Sequence, residues 1–481
     1  MSTIDGTNNE MGSEDSRRVA AAEEILVMAQ ALRRGLAGNF RDELVEAIFD
    51  DAHQITGRAV REAGDGRGFK NWDGKIDRIV TSRVFGLPLM LALLALVFWL
   101  TITGSNYPSR MLAVGLFWIE DQASVFFVSM GSPDWLTGFV WHGVYRALAW
   151  VVSVMLPPMA IFFPMFTILE DFGYLPRVAF NLDRFFNKAG AHGKQVLTMS
   201  MGFGCNAAGV IACRTIDSPR ERLIAILTNN FVPCNGRWPT LILVASVFVG
   251  SAVSPGLASV AVAGTIVMVV VIGILFTLII SGILSRTFLK GEASAFTLEL
   301  PPYRRPSVMR ILYTSLIDRT IFVLWRAIVV AVPAGAVIWL LANISVGGES
   351  LAWYCVSVLD PIGHAIGLDG VILLAYVIAI PANEIVVPTI LMLYLGNSMM
   401  TEEFSSVTEW RSLFVDAHGW TLLTAVNLML FCLLHNPCAT TIVTMYKETG
   451  SLKWTAVGAL MPVGIAFAVT FIMAQVWRMF V

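Results

Sequence analysis

The chain has 481 residues, of which 56% are hydrophobic and only 14% charged, with a mean hydropathy of +0.69. An ordinary soluble domain carries about 25% charged residues, so this much apolar surface cannot be hidden inside one water-facing globule. A net charge of −2 gives no reason to expect a nucleic-acid partner, and six cysteines within or at the edges of apolar stretches argue against a secreted disulfide framework.

The polar opening is no cleavable signal peptide, and residues 1–15 read as a disordered tail. Residues 16–63 alternate charge with aliphatics at helical spacing, as in Glu24, Leu26, Val27 and Leu32. They predict one or two amphipathic helices in water. With the basic stretch Arg67, Lys70, Lys75, Arg78 and Arg83 they form a cytoplasmic helical stalk over 16–83. Apolar runs of about 18 residues or more are transmembrane candidates. They occur near 84–103, 147–169, 223–250, 257–284, 327–345, 420–443 and 454–476. Two further runs are interrupted: 196–213 around Gly202-Phe203-Gly204-Cys205-Asn206, and 371–395 around Pro381-Ala382-Asn383-Glu384 and Pro388.

Lys and Arg in short loops mark the cytoplasmic side. The stretch Arg67 to Arg83 puts the N-terminus inside, and 104–136, with Glu120, Asp121 and Asp134 against Arg110, outside. Residues 177–194 and 214–222 are both basic, so 196–213 enters and leaves from one face and is re-entrant. Loop 286–310 is basic and loop 396–419 acidic, so 371–395 is re-entrant from the opposite face. The chain therefore reads as an all-α polytopic membrane protein with about seven full spans and two re-entrant segments in an inverted repeat, a plan many secondary transporters share. Its divisions are a first transmembrane helix and interfacial segment at 84–145, a first repeat at 146–285, a cytoplasmic amphipathic connection at 286–326 and a second repeat at 327–481.

Non-helical backbone at membrane depth is tolerated only where it is buried in protein or lines a wet cavity. The re-entrant breaks carry Cys205 and Asn206 in one repeat, Asn383 and Glu384 in the other. The spans that follow add Cys234, Asn235, His435, Asn436 and Cys438. An intramembrane carboxylate needs a cation, a proton or a partner; for Glu384 that partner is a metal ion or, structurally, Arg237. Sulfur, amide oxygen and one carboxylate suit iron(II), manganese(II), zinc(II) or cobalt(II) rather than magnesium or calcium. Glu170 and Asp171 read either as a metal-uptake site or as a helix-end cap or salt bridge to Arg177. His435 reads as ligand or core residue, and Cys213, Cys355 and Cys432 as small hydrophobes.

These blocks resemble the membrane domain of FeoB, the prokaryotic ferrous iron transporter family. The resemblance runs from about Ile76 to the C-terminus. It rests on Asp77-Arg78-Ile79-Val80, Gly86-Leu87-Pro88, Leu169-Glu170-Asp171-Phe172-Gly173-Tyr174-Leu175, Gly202-Phe203-Gly204-Cys205-Asn206, Arg214-Thr215-Ile216, Glu299-Leu300-Pro301-Pro302-Tyr303-Arg304, Pro381-Ala382-Asn383-Glu384-Ile385-Val386, Pro437-Cys438 and Glu448-Thr449-Gly450-Ser451. The paired interrupted blocks look like the family's gate motifs. The resemblance implies Fe2+ as transported substrate, Cys205 and Cys234 as pathway cysteines, and a multi-pass place in the inner cell membrane among its lipid. It also implies a separately encoded FeoB-type GTPase, a small FeoA-like protein or a second copy of the chain as partners. Departures are Val232-Pro233-Cys234, where many members have Ser before Cys, and Asn383-Glu384, where others carry Lys-Glu. A gate-fold carrier of another divalent metal or of a nucleoside-like solute is the alternative, and a metal sensor without transport a third reading.

FeoB chains normally begin with a GTP-binding domain, yet no G-x-x-x-x-G-K-[ST] loop occurs here: Gly193-Lys194 lacks the upstream glycine and is followed by Gln195. No nucleotide is therefore expected on this polypeptide, and no enzyme activity. Calorimetric titration of the purified chain with GTP is expected to show no binding; affinity in the millimolar range or tighter overturns that expectation.

Overall fold

A computed structural model of the chain describes residues 28, 40–59, 67–82, 84–191, 193–289, 303, 306–346, 348–395 and 407–480. The tail at 1–15, most of 16–39, Arg83, Lys290, Arg304, Arg305 and the acidic pair Glu402 and Glu403 lie outside the described residues. Helix α1 (Phe40–Ala59) belongs to a small unit made of residues 1–70 and 295–297, with Ile48, Phe49 and Ile55 exposed. Everything that follows concerns the second unit, which begins at Asn71 within α2 (Arg67–Val80).

Among the described residues, seven helices are long and apolar enough to cross a membrane, one for each of the seven apolar runs. Helices are what hydrocarbon demands, because no water is present there to satisfy backbone N–H and C=O groups. The only strands among the described residues are β1 (Ser345–Val346) and β2 (Glu349–Ser350), an antiparallel pair in a turn. The chain is an all-α polytopic membrane protein.

The first run does not stop at 103. Helix α3 (Gly86–Ser129) runs unbroken for 44 residues with Pro108 inside it, about 66 Å at 1.5 Å per residue. It pairs with α4 (Asp134–Asp171), whose stretch Gly138–Tyr145 is a π-helix. The segment expected as a loop, 104–136, is therefore mostly helix. Its Glu120 is not a solvated loop charge: it is 1% exposed, accepts from Arg146 Nε at 2.8 Å and lies 2.7 Å from His142 Nδ1. Burial of that carboxylate is offset by the pairing.

The repeat is visible element by element. After α4 come the amphipathic α5 (Tyr174–Lys188), a helix pair α6 (Gln195–Gly204) and α7 (Asn206–Ala212) folded back on each other, a span broken into α8 (Pro219–Thr228) and α9 (Trp238–Phe248), and the long α10 (Pro255–Arg286). The second half starts with α11 (Val308–Tyr313), which leads through a π turn into α12 (Phe322–Asn343). It continues with α13 (Leu351–Ala365), the folded-back pair α14 (Gly370–Ile378) and α15 (Val386–Leu395), and α16 (Val407–Arg411). The broken span α17 (Leu422–Leu434) and α18 (Ala439–Thr449) and the long α19 (Leu452–Phe480) complete it. Helices α13 and α14 meet at 112°.

The two halves are antiparallel. Ser315, before α12, donates to Thr167 near the end of α4 at 3.1 Å, while Trp339 near the end of α12 packs on Gly138 and Gly143 near the start of α4. On the face rich in basic residues, Arg177 is buried between Asp77, 3.1 Å from its Nε, and the ring of Tyr303, 4.1 Å from its guanidinium carbon. Burial and the Asp77 carboxylate push the Tyr303 hydroxyl up to about 12. The ion pair of Arg177 is with Asp77, which reaches the guanidinium from α2.

The α4–α12 contact depends on absent side chains. A Cβ on Gly335 would lie 2.6 Å from Ala147 Cβ and 2.9 Å from the Gly143 carbonyl oxygen. Gly335→Leu must therefore push the helices apart, at about 1–3 kcal/mol, and thermal unfolding in detergent is expected at a lower temperature. Gly264→Ala, where nothing lies within 4 Å, is the control and should leave it unchanged. Equal behaviour of the two variants would contradict this packing.

Candidate functional site: the meeting of four helix breaks

Each break follows from local sequence. Cys205 is extended (φ −154°, ψ 123°) between α6 and α7, and Ala382 is extended (φ −151°, ψ 116°) between α14 and α15, just after Pro381. In the broken spans, Pro233 and Pro437 remove backbone donors, and 229–237 and 435–438 leave the helical path. Residues 235–237 pack on 383–385, and α4 covers both. The break in α17–α18 is tied to that in α14–α15 by Ala439 N–H donating to the Ile380 carbonyl at 2.9 Å.

Arg237 joins these breaks. It is 0% exposed. Its Nη1 donates to the carbonyls of Asn230 and Leu433 at 2.7 and 2.9 Å. Its Nη2 donates to Asn230 Oδ1 at 3.1 Å and to the carbonyls of His435 and Asn436 at 3.0 and 3.3 Å. The partners are carbonyls at the C-terminal ends of half-helices, where the helix dipole is negative. This corrects the structural alternative for Glu384: among the described residues Glu384 has no ion-pair partner, and Arg237 is held by oxygens of neutral groups. The Glu384 carboxylate instead rests on the backbone of Gly236, where an added Cβ would lie 2.5 Å from Oε1 and 2.7 Å from Cδ.

The sequence-predicted residues divide into three groups. Cys234 lies within electrostatic range of Cys205, Cys438, Glu384 and Arg237, so three thiols and the carboxylate share one neighbourhood. The amides form its frame. The Asn206 amide lies among Asn230 Oδ1 and the carbonyls of Gly202 and Val232, Asn229 donates to the Asn206 carbonyl at 3.0 Å and Asn230 to the His435 carbonyl at 2.6 Å. His435 is 1% exposed, places Nδ1 2.8 Å from the Cys432 carbonyl and Nε2 3.3 Å from Asn383 Oδ1. Glu170 and Asp171 are not brought in: they end α4, seven and eight residues beyond Phe163, which packs on Gly204. That is about 10 Å along the axis.

Among the described residues, no group of three or more His, Cys, Asp or Glu side chains is close enough to hold a metal ion. Asn229, Asn230 and Gly236 were missed in the sequence; the run Asn229-Asn230 ahead of a Pro-Cys pair in an apolar stretch was the available signal. Cys213 and Cys432 are core residues with Sγ toward the carbonyls of Gly209 and Arg237, and Cys355 packs at the edge of a small apolar cluster.

Comparison with known proteins follows this division. Residues 152–248 and 324–452 match the family model described as Gate: Nucleoside recognition, and 266–318 match Ferrous iron transport protein B C terminus. These matches, with the relatives below, are similarities to the membrane domain of the FeoB family. It is similar to the Fe(2+) transporter FeoB of Staphylococcus aureus (strain COL), 28% identical over 491 residues, covering 98% of this chain and 68% of that protein. The Fe(2+) transport protein A/Fe(2+) transporter FeoB fusion protein of Porphyromonas gingivalis is 26% identical over 459 residues, 85% of this chain and 52% of that one. The Fe(2+) transporter FeoB of Leptospira interrogans (strain 56601) is 26% identical, with 84% and 60% covered. No solved structure matches the chain. The chain spans between about half and two thirds of the length of these relatives.

Arg237 should be the costliest residue of this region to replace. Arg237→Met leaves the carbonyls of Asn230, Leu433 and His435 without their donor, a loss of about 3 kcal/mol or more. A sharp fall in monodisperse yield and unfolding temperature is expected, with Arg237→Lys between it and the natural protein. Normal stability of Arg237→Met would show that the breaks are held by something else.

Proposed function

We propose that the chain carries ferrous iron across the membrane, and that the ion passes the helix breaks on Cys205, Cys234, Cys438 and Glu384, with Asn206, Asn383 and His435 framing the passage. The observation that carries this reading is the gathering of three thiols and one carboxylate at breaks contributed by both repeats. The names of the relatives point to the same cargo. Thiolate and amide ligands suit a borderline divalent ion. The scattered ligand set fits a cargo that must leave again, since conduction needs binding that is weak or multi-site.

Charge explains the place of Glu384. Arg237 puts a fixed positive charge beside the passage, and neutral thiols or amides do not offset it. Glu384, ionised, does. In this proposal residues 16–83 are the cytoplasmic stalk, the basic face is cytoplasmic, the membrane is the inner membrane, and Glu170 and Asp171 stand at the cytoplasmic end of the path. The fusion relative favours a FeoA-like partner; a separately encoded GTPase would supply nucleotide chemistry.

Iron(II)-dependent quenching of a dye inside liposomes tests the reading. Cys205→Ser and Cys234→Ser are each expected to slow uptake with little loss of folded protein, and wild-type rates in both would remove the cysteine path. Glu384→Gln should weaken iron(II) affinity at least about tenfold, or 1.4 kcal/mol, at near-normal stability. Gly236→Ala should shift affinity the same way by displacing the carboxylate. Unchanged affinity in both takes Glu384 out of the path.

A further inference from the structure

The first helix of the membrane unit carries a polar stripe that the proposed path does not use. Thr101, Ser105 and Ser109 recur every four residues and fall on one face of α3, with Asn106 beside them. Thr101 and Ser105 are 7% and 6% exposed, so they face protein rather than lipid. They line a cavity of 370 Å³ between α3 and α9. Its lining includes Val407 and Trp410 of α16 and also Asn235, the residue after Cys234. A second cavity of 580 Å³ adjoins at Asn106 and Ser246 and reaches Arg411.

Aromatic rings form part of the first cavity's wall. The Trp238 ring lies 4.5 Å from that of Phe98 and 6.5 Å, nearly parallel, from that of Phe203. Phe98 in turn stacks on Phe162 at 6.1 Å. All four rings are at most 7% exposed. Trp238 and Phe98 line the cavity, while Phe203 sits two residues before Cys205 on the re-entrant segment. The stack thus connects four elements, α3, α4, α6 and α9, of which α6 and α9 lead into the breaks.

We infer that this cavity is a vestibule for a hydrated divalent cation and that Trp238, held between Phe98 and Phe203, is the gate that separates it from Cys234 and Cys205. The inference rests on the cation-transport reading above. Six waters occupy about 180 Å³ at their share of liquid volume, so the cavity has room for an ion with its inner hydration shell. Hydroxyl and amide oxygens along α3 can hydrogen-bond that shell without stripping it. The rings exclude water, so the ion loses its shell only where thiols and Glu384 replace it. An indole face also attracts a cation, which distinguishes this closure from an aliphatic one. Ordinary aromatic core packing would account for the stack, but it gives no reason for a polar stripe ending on it.

Thiol labelling of the full chain in liposomes tests this without iron. A membrane-impermeant thiol reagent is added on the face that bears α16, and labelled positions are read by mass spectrometry. Ser105→Cys should be labelled in an otherwise natural chain, while Cys234 is protected. Trp238→Ala should raise the rate at Cys234 at least about tenfold, and Trp238→Phe, which keeps a ring, should leave it protected. Absence of labelling at Ser105→Cys overturns the vestibule, as does unchanged protection of Cys234 in a monodisperse Trp238→Ala protein. If Trp238→Ala does not fold, Phe98→Leu serves, and unchanged protection there overturns the gate as well. Iron(II) uptake in the same liposomes is read separately. Labelling as expected with no iron flux in the natural chain upholds the gate and sinks the cargo. Normal flux that is abolished in Cys234→Ser, with failed labelling, sinks the gate and leaves the cargo standing.

Discussion

A single guanidinium holds the centre of this fold together. Arg237 is wholly buried, and four backbone carbonyls and one amide oxygen, drawn from 230 and from 433–436, accept from its Nη1 and Nη2. A charge in hydrocarbon is expensive unless it is paired or solvated by protein dipoles. Here the dipoles are those that broken helices expose. The arrangement is reciprocal: the breaks leave carbonyls without intrahelical donors, and the arginine supplies donors without requiring a carboxylate. Glu384, with no ion-pair partner among the described residues, lies over the adjoining Gly236.

Antiparallel repeats bring those breaks to one depth. Because α4 and α12 run in opposite directions, held by the Thr167–Ser315 contact at one end and by Trp339 on Gly138 and Gly143 at the other, the re-entrant pair of each half enters from its own face. Half-helices α7 and α18 then run side by side from Cys205 and Cys438 to the same surface, where Arg214 grips Glu448 with Nε and Nη2 at 2.8 and 2.7 Å. Two elements from distant parts of the chain start at the thiols and end in an ion pair. Their relative position is fixed at the surface end, which leaves the thiol end to be set by the asparagine frame.

What the sequence disclosed, and what it did not, follows from the range of each interaction. Spans and breaks were readable because membrane thickness and the lack of a proline N–H act on a window of residues. The inverted order was readable because loop charge is also local. The course of α3 past 103 was not: Thr101 to Ser109 looks like the end of an apolar run, and only the neighbouring α4 and α9 show that the polar face is turned inward. Glu120 looked solvated for the same reason, since His142 and Arg146 reach it across a hairpin. Pairing Arg237 with Glu384 was the natural guess from opposite charges. It failed because carbonyls carry no letter of their own in a sequence, and those of Leu433 and His435 reach the guanidinium from nearly 200 residues away.

The electrostatics of the passage then follow from one fixed charge and one mobile one. Arg237 cannot leave its carbonyls without uncovering them, so its positive charge is permanent. Glu384 rests on a glycine, which restricts where the carboxylate sits but forms no bond that must be broken to release it. A dication arriving beside Cys234 therefore meets a neutral balance if Glu384 is ionised and a net positive one if it is not. On the proposed path, three thiols and a carboxylate within electrostatic range of one another, yet not closed into a chelate among the described residues, would lower the cost of dehydration step by step. A preformed tetrahedral site would do so once and hold the ion, as structural metal sites do. An open set anchored by a rigid arginine is the arrangement suited to passing the ion on.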